Sequence, residues 1–332
     1  MATNSRKNAE NSKEPQSAGG DELHLVHFWG VRGTLPSPGN QTLKYGGHTS
    51  CVEVNTASDT GQVKSSIILD AGTGIAKFGD FALRRGDREF HIFLSHMHYD
   101  HIMGLTRFAP LFRNDCKVHI YGMAKCGKSL SEIFKKFFSA PFFPIEFDML
   151  PCSRDLKFIE LNQYKFIDVN NHKIGIQKLN HPQDAIAFRV WNKSETTSVV
   201  YATDHEHGTA RDSELISFAH NASVFLYDST YSELAYPNHI GWGHSTAFQG
   251  ARIARDADVK AYGLFHHDPF ASDEQLETTL LPEARKIFPN SFLCSESSEL
   301  NLAKLEGIGD SDDTDFHSPS VRPLRTRKLK TG

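Results

Sequence analysis

The central part of the sequence alternates short apolar runs with polar loops. Runs of about four to eight residues that are rich in Val, Ile, Phe and Tyr and are bounded by Gly, Asn or Asp are typical of β-strands. We therefore predict strands at LHLVHFW (23–29), CVEVN (51–55), SSIILD (65–70), FHIFLS (90–95), KVHIY (117–121), KIGIQKLN (173–180), AIAFRVW (185–191), TSVVYAT (197–203), SVFLYD (223–228) and VKAYGLF (259–265).

Four further segments are more typical of helices, near residues 126–138, 211–220, 244–256 and 272–288. The last begins with Ser272 and has Gln275 three residues later, a pair that can cap the backbone at a helix start. Many strands with interspersed helices predict an α/β or α+β sandwich.

The two ends of the chain differ from the rest. Residues 1–20 are polar and rich in Asn, Ser, Lys and Gly, which predicts a disordered N-terminal arm. Residues 309–332 carry an acidic cluster followed by a basic one, which predicts a disordered charged tail. Contact of the basic end with nucleic acid or a partner is the alternative. Residues 21–308 remain for the folded part.

Composition narrows the class of protein. Hydrophobic residues make up 39% of the chain and aromatic residues 11%, enough for a sizeable core. The net charge of −4 gives no sign of a nucleic-acid coat protein. Five cysteines without a CxxC pattern indicate reduced thiols, and no stretch approaches the ~20 apolar residues of a membrane span. We expect a cytoplasmic protein with no membrane partner.

A dense group of metal-ligand residues follows the strand at 90–95. His96, His98, Asp100 and His101 form the pattern HxHxDH within six residues. Imidazole nitrogens and carboxylate oxygens suit Zn²⁺ and similar metals. Without a metal, such crowding would bring together groups that gain little from one another.

This motif resembles the signature loop of the metallo-β-lactamase superfamily, and within it the branch of ribonuclease Z and cyclic-nucleotide phosphodiesterases. The resemblance covers residues 24–305 and implies a four-layer αββα sandwich with the site at one edge of the paired sheets. His181 in LNHPQD, Asp204 in VVYATD and His266 in GLFHHDP match the remaining ligands. His267 stays open as an alternative to His266.

The resemblance further implies two divalent metal ions, with Zn²⁺ first and Mn²⁺ as the alternative. The implied ligands are His96, His98 and His181 for one ion, Asp100, His101 and His266 for the other, and Asp204 as the bridge. Because one site would draw on residues 96 to 266, we predict one hydrolase domain over 21–308. Asp100 is counted among the catalytic residues as well.

A second pairing points to the reaction. Asp228 ends a predicted strand, and His244 opens a predicted helix. In enzymes resembling ribonuclease Z, the corresponding acidic residue orients a histidine that protonates the leaving alkoxide. The resemblance therefore implies catalytic roles for Asp228 and His244, and a structural Asp with a helix-start His is the alternative. An alkoxide leaving group favours phosphodiester over β-lactam hydrolysis.

Three other positions keep two interpretations each. Asp70 either accepts a hydrogen bond from a ligand histidine or starts the Gly-rich turn DAGTG. Arg32 either reaches a substrate phosphate or forms a surface ion pair. The segment 142–144 (FFP) either stacks on a base near the site entrance or packs in the core.

The predicted function is hydrolysis of a small phosphodiester, with a 3′,5′-cyclic nucleotide ahead of RNA. The runs at 28–34 (FWGVRGT) and 45–51 (YGGHTSC) resemble bacterial hydrolases of the cyclic-nucleotide type. No inserted Lys/Gly-rich arm of the ribonuclease Z kind is evident in the sequence, so an RNA endonuclease is the second alternative. A thioester or lactone hydrolase is the third and a non-enzymatic scaffold the fourth. A homodimer stays open.

Overall fold

The structure is a computed structural model that describes residues 23–57, 63–170, 172–302, 305 and 321–323. The predicted N-terminal arm lies outside these residues, as does the predicted tail apart from 321–323.

The strands are β1 (Leu23–Gly30), β2 (Cys51–Ala57), β3 (Val63–Leu69), β4 (Glu89–Phe93), β5 (Lys117–Gly122), β6 (Leu156–Glu160), β7 (Phe166–Val169), β8 (His172–Lys178), β9 (Ile186–Trp191), β10 (Ser198–Ala202), β11 (Val224–Asp228), β12 (Ala261–Phe265), β13 (Ser291–Leu293), β14 (Ser298–Asn301) and β15 (Val321–Pro323).

The helices are α1 (Gly74–Arg85), α2 (Tyr99–Ile102), α3 (Leu130–Phe137), α4 (Ala210–Ala219), α5 (Ala247–Asp256), α6 (Asp273–Gln275), a π-helical turn (Leu276–Leu280) and α7 (Leu281–Arg285). Short 3₁₀ helices lie at Asn40–Thr42, Met103–Arg107, Ala109–Phe112, Phe147–Met149, Ser153–Asp155 and Tyr236–Asn238. None of the helices in the described part of the chain combines the length and the hydrophobicity needed to cross a bilayer.

All ten predicted strands are present, and the predicted helices correspond to α3, α4, α5 and the α6–α7 region. The predicted capping box is confirmed: Ser272 accepts from the backbone N–H of Gln275, whose side chain accepts in return. One prediction needs correction. His244 does not open a helix, because Thr246 caps α5 and the helix begins at Ala247.

Helix α1 was missed by the sequence analysis. Its sequence GIAKFGDFALRR contains two glycines, which lower helix propensity by about 1 kcal/mol each relative to alanine. The helix forms because Ile75, Phe78 and Ala82 are buried along one face. Tertiary packing here outweighs local propensity.

The strands form two sheets. One has the order β15-β14-β1-β2-β3-β4-β5-β6, and the other has the order β13-β12-β11-β10-β9-β8-β7. A cluster of buried residues from both sheets, including Phe28, Phe93, Phe188 and Leu226, fills the space between them. A second cluster packs α4, α5 and α7 on the outer face of the seven-stranded sheet, and a third packs α1 and α3 on the outer face of the eight-stranded sheet. The predicted αββα sandwich is confirmed.

Strand direction positions the functional residues. Strands β3 to β6 run parallel in one sheet and β10 to β13 run parallel in the other. Strand β8 shares the direction of β10, since both pair antiparallel with β9. The segments that follow β3, β4, β8, β10, β11 and β12 therefore meet at one edge of the sandwich.

Candidate metal centre

Three residues at this edge leave their strands in a left-handed backbone conformation. Asp70 and His266 directly follow β3 and β12, and Asp204 lies two residues after the end of β10; their φ angles are 60°, 58° and 57°. Non-glycine residues rarely adopt this region, and where they do the surrounding structure must hold them there. These turns aim the side chains across the gap between the two sheets.

The first ligand group is His96, His98 and His181, whose donor atoms lie within 4.8 Å of one another. His181 Nδ1 donates to the carbonyl of Gly243 at 2.7 Å, which leaves Nε2 with a free lone pair. His98 Nε2 donates to Gln183 Oε1 at 3.3 Å, which leaves Nδ1 free. The free nitrogens of His98 and His181 lie 3.2 Å apart.

The second group is Asp100, His101, Asp204 and His266, whose donor atoms also lie within 4.8 Å of one another. Asp100 Oδ2 lies 3.0 Å from His101 Nε2 and 3.2 Å from His266 Nε2. The structure brings His266 to the group, whereas His267 Nε2 donates to the carbonyl of Cys294, 3.0 Å away. Of the two adjacent histidines, His266 is the one that lies beside the other candidate ligands.

Asp204 lies between the two groups with one carboxylate oxygen toward each. Its Oδ1 lies 3.7 Å from Nε2 of both His96 and His181. Its Oδ2 lies 3.2 Å from His101 Nε2 and 3.3 Å from His266 Nε2. A carboxylate placed in this way can offer one oxygen to each of two cations.

Asp70 contacts the second group through His101 Nδ1, the ring nitrogen that does not face Asp204. His101 Nδ1 and the hydroxyl of Tyr201 each donate to Asp70 Oδ2 at 2.7 Å, and Ser95 donates from Oγ at 2.8 Å. The backbone N–H of Ser95 donates to Oδ1 at 2.7 Å. Both features expected of Asp70 are present: it accepts a hydrogen bond from the candidate ligand His101, and it begins the DAGTG segment in a left-handed backbone conformation. Tyr201 and Ser95 carried no signal in the sequence.

The ionisation of the site residues favours the binding of cations. Burial raises the pKa of Asp100 and Asp204, but the neighbouring imidazoles lower both pKa values well below the usual range. Burial and His101 lower the pKa of His96, whose Nε2 is buried without a hydrogen-bond partner among the described residues. Ionised carboxylates in a buried site need compensating positive charge. Divalent metal ions of the Zn²⁺ type fit this donor set.

His244 and Asp228 lie beside these groups. His244 Nδ1 donates to Asp228 Oδ2 at 2.8 Å and is 3.8 Å from Asp204 Oδ1. Burial lowers the pKa of His244, but the charge and the hydrogen bond of Asp228 outweigh it and raise the pKa to about 9. Thr230 donates to Asp228 Oδ1 at 2.7 Å and contacts His266 Nδ1 at 3.1 Å, so it links the pair to the second group.

Arg32 forms an ion pair, as one of its interpretations expected, but the pair is buried and not on the surface: Nη2 lies 3.5 Å from Asp273 Oδ1. The side chain is fully buried and also binds backbone carbonyls. Its Nε donates to the carbonyl of Gly46 at 2.8 Å, and Nη1 donates to the carbonyls of Asp268 and Ala271 at 2.9 and 2.7 Å. Arg32 thus ties two loops together near His266 and has no contact to offer a phosphate. The segment 142–144 is divided: Phe142 is exposed, and Phe143 packs on Phe138.

Comparisons with known proteins agree with this geometry. The family model of the β-lactamase superfamily domain matches residues 65–267. Ribonuclease Z of Picrophilus torridus is 26% identical over 322 residues, which cover 84% of this chain and 96% of that protein. Among solved structures, the metallo-β-lactamase fold protein YhfI from Bacillus subtilis has a TM-score of 0.63 at 18% identity, covering 84% of this chain and 99% of YhfI. Unliganded yeast PDE1 has a TM-score of 0.59 at 13% identity, covering 82% and 97%. Since the family model spans more than half of the chain, the chain belongs to the metallo-β-lactamase superfamily and is a metal-dependent hydrolase.

Proposed function

We propose that the chain hydrolyses phosphodiesters with two divalent metal ions and a histidine general acid. The position of His244 carries this proposal. Its ring centroid lies 5.4 Å from that of His181, which belongs to the first ligand group, and 4.9 Å from that of His266, which belongs to the second. Because Nδ1 is hydrogen-bonded to Asp228, Nε2 is the nitrogen that can contact a substrate bound between the two ligand groups.

Each residue then has a chemical task. Two bound divalent cations would neutralise the charge on the phosphoryl oxygens and acidify a water molecule. Asp204 directs one carboxylate oxygen to each ligand group and so keeps the two groups adjacent. Protonated His244 supplies a proton to the leaving alkoxide, a contribution of about 10²–10⁴-fold. Asp228 fixes the orientation and the tautomer of His244, and its negative charge keeps His244 protonated.

RNA is the first proposed substrate. From the sequence alone a cyclic nucleotide is predicted ahead of RNA, but the similarity to ribonuclease Z extends over 84% of this chain and favours the reverse order. His98 and His244 are partly exposed, so the ligand groups can be reached from solvent. The thioester alternative is weaker, because expulsion of a thiolate gains little from the Asp228–His244 pair.

A 3′,5′-cyclic nucleotide is the second candidate, and a cavity beside the centre favours it. This cavity has a volume of about 610 Å³, within the range of about 300–1,000 Å³ typical of small-molecule sites. It is lined by His181 of the first ligand group and by residues that include Asn180, Glu206, Tyr236 and Ile240. A nucleoside held there would keep its phosphate beside His181.

The metal and the location are part of the proposal. We propose Zn²⁺ as the native metal, since six imidazole and carboxylate ligands and one bridging carboxylate match its preferences, with Mn²⁺ as the alternative. We propose a cytoplasmic location, because Cys51, Cys116, Cys126, Cys152 and Cys294 are all free thiols.

A substrate panel tests the proposal. Metal-loaded protein is assayed against labelled cellular RNA, 3′,5′-cyclic nucleotides and a thioester, with His244→Ala as the matched control. We expect cleavage of RNA by the wild type and a loss of that cleavage in the variant. Hydrolysis of cyclic nucleotides alone would select the second candidate. Thioester cleavage without either phosphodiester activity would contradict the proposal.

A further inference from the structure

A separate group of metal-type side chains lies away from the centre described above. Glu89 and His91 on β4 and His119 on β5 place three donor atoms within 4.8 Å of one another. His91 and His119 are register partners in the two parallel strands, and Glu89 shares their face because side chains alternate along a strand. Five residues of extended chain, about 16 Å, separate His91 from His96. The group therefore lies at the far end of β4 from the catalytic edge.

The donor atoms converge beside Glu89. His119 Nε2 lies 3.0 Å from Glu89 Oε1, and His91 Nε2 lies 3.8 Å from the same oxygen. The two imidazole rings stack with their centroids 4.5 Å apart. The Glu89 side chain is 50% exposed, whereas those of His91 and His119 are 7% and 12% exposed. The site is thus buried on the histidine side and open to solvent at the carboxylate.

His91 is oriented as a metal ligand would be. Its Nδ1 is bound to the hydroxyl of Tyr121 at 2.9 Å, which leaves Nε2 toward Glu89 and His119. That Nε2 is buried and has no hydrogen-bond partner among the described residues. Burial and the nearby His119 lower the pKa of His91 to about 4, so the ring is neutral at physiological pH. Buried polar atoms without a partner are rare, and this one is aimed into the group.

We propose that Glu89, His91 and His119 form a second binding site for a divalent transition ion such as Zn²⁺. Two imidazole nitrogens and a carboxylate oxygen are ligands that Zn²⁺ prefers, and water completes a tetrahedron on the exposed side. Ligands about 2.0 Å from one ion lie about 3.3 Å apart, so the stacked rings must tilt toward each other on binding. The ion would cross-link β4 and β5 and takes no part in the proposed reaction.

Metal counting tests the site. Full-length wild type, Glu89→Gln and His119→Gln are stripped with a chelator, equilibrated by dialysis against micromolar free Zn²⁺, and analysed for zinc per chain. Lys117→Gln is the matched control, because Lys117 is the exposed register partner of Glu89 and lies outside the donor group. We expect both variants to hold one Zn²⁺ per chain fewer than the wild type and the control. Hydrolysis of bis-p-nitrophenyl phosphate should be unchanged in all four proteins.

Two outcomes would overturn the proposal. Equal zinc content in all four proteins would mean that Glu89 and His119 form only an ion pair. Loss of an ion together with loss of hydrolysis would mean that the ion came from the catalytic centre. Glu89→Gln changes a half-exposed side chain, so it keeps the test valid if His119→Gln does not fold. The difference in zinc content does not depend on whether the protein cleaves phosphodiesters.

Discussion

The carboxylate of Glu206 accepts a hydrogen bond from the backbone N–H of Gly243 at 2.8 Å, and the carbonyl of Gly243 accepts one from His181 Nδ1 at 2.7 Å. Glu206 also accepts from the N–H of Gly241 at 2.6 Å and from the hydroxyl of Tyr236 at 3.0 Å. One buried carboxylate therefore fixes the loop that orients the candidate ligand His181 and that leads directly into His244. Nothing in the sequence marked Glu206 for this position.

We expect Glu206→Ala to weaken metal binding at the first ligand group by about 10–100-fold, the usual effect of removing a partner that orients a ligand. Zinc titration with a chromophoric chelator measures the two affinities separately. Glu214→Ala, which changes an exposed acid on α4, is the control. Wild-type affinity at both sites in Glu206→Ala would show that the loop is held by other contacts.

Gly243→Ala offers an independent test of the same loop. Gly243 has a φ angle of 86°, and an added Cβ would lie 2.2 Å from His181 Nδ1. We therefore expect this variant to lose affinity at the first group as Glu206→Ala does. Gly208→Ala is the matched control, since Gly208 also has a positive φ but has open space around the added Cβ. Equal affinities in the two glycine variants would contradict the proposed role of His181.

The proposed bridging role of Asp204 predicts that its removal costs more metal affinity and more activity than removal of Asp70. Asp204→Ala should weaken both sites, because one oxygen faces each group. Asp70→Ala removes only the partner of His101 Nδ1 and should cost about 10–100-fold in metal affinity. Elemental analysis and hydrolysis of bis-p-nitrophenyl phosphate, measured side by side, compare the two variants. Equal losses would show that their roles have been assigned wrongly.

The proposed general-acid role of His244 predicts that the effect of its removal depends on the leaving group. His244→Ala should retain both metal ions and lose about 10²–10⁴-fold on an alkoxide-leaving phosphodiester, whether RNA or a cyclic nucleotide. It should lose much less on bis-p-nitrophenyl phosphate, whose phenolate departs without protonation. Asp228→Ala should show the same selectivity more mildly, because it orients the acid without donating the proton. Equal losses on both substrates would make His244 a binding or structural residue.

A buried charge network predicts a pH dependence of stability. His27 lies between Glu53 at 3.0 Å and Glu299 at 2.6 Å, and Arg85 also contacts Glu53 at 2.8 Å. Burial lowers the pKa of His27, but the two carboxylates outweigh it and raise the pKa from 6.5 to about 9. Protonated His27 therefore stabilises the fold fully below pH 6.5, and the contribution disappears as the pH rises through about 9.

Urea unfolding of wild type and His27→Gln at pH 6 and pH 9.5 measures this contribution. The difference in unfolding free energy between the two proteins should shrink by about 1–3 kcal/mol at the higher pH. His220→Gln, at an exposed position after α4, is the control and should show no such change. A difference that is independent of pH would mean that His27 is neutral in the folded protein.

The sequence by itself determined the features that depend on short-range spacing. The apolar runs predicted ten strands, Ser272 and Gln275 predicted a capping box, and the six-residue motif from His96 to His101 predicted metal chemistry. These features were predictable because a strand, a cap and a ligand loop each form from residues that are neighbours in the chain. The family resemblance extended the prediction to the distant candidate ligands and to the αββα fold.

Only the tertiary structure decided what depends on contacts between distant segments. Adjacent histidines at 266 and 267 are chemically equivalent in sequence, and the left-handed turn at His266 sends one ring to Asp204 and the other to Cys294. Arg32 looked exposed until the packing of two loops buried it. Glu206 binds the backbone of Gly243 because the segment after β10 meets the loop before α5 at the shared sheet edge. Side chains acquire such roles when sheet packing brings remote backbone within hydrogen-bonding distance, and local spacing does not encode that distance.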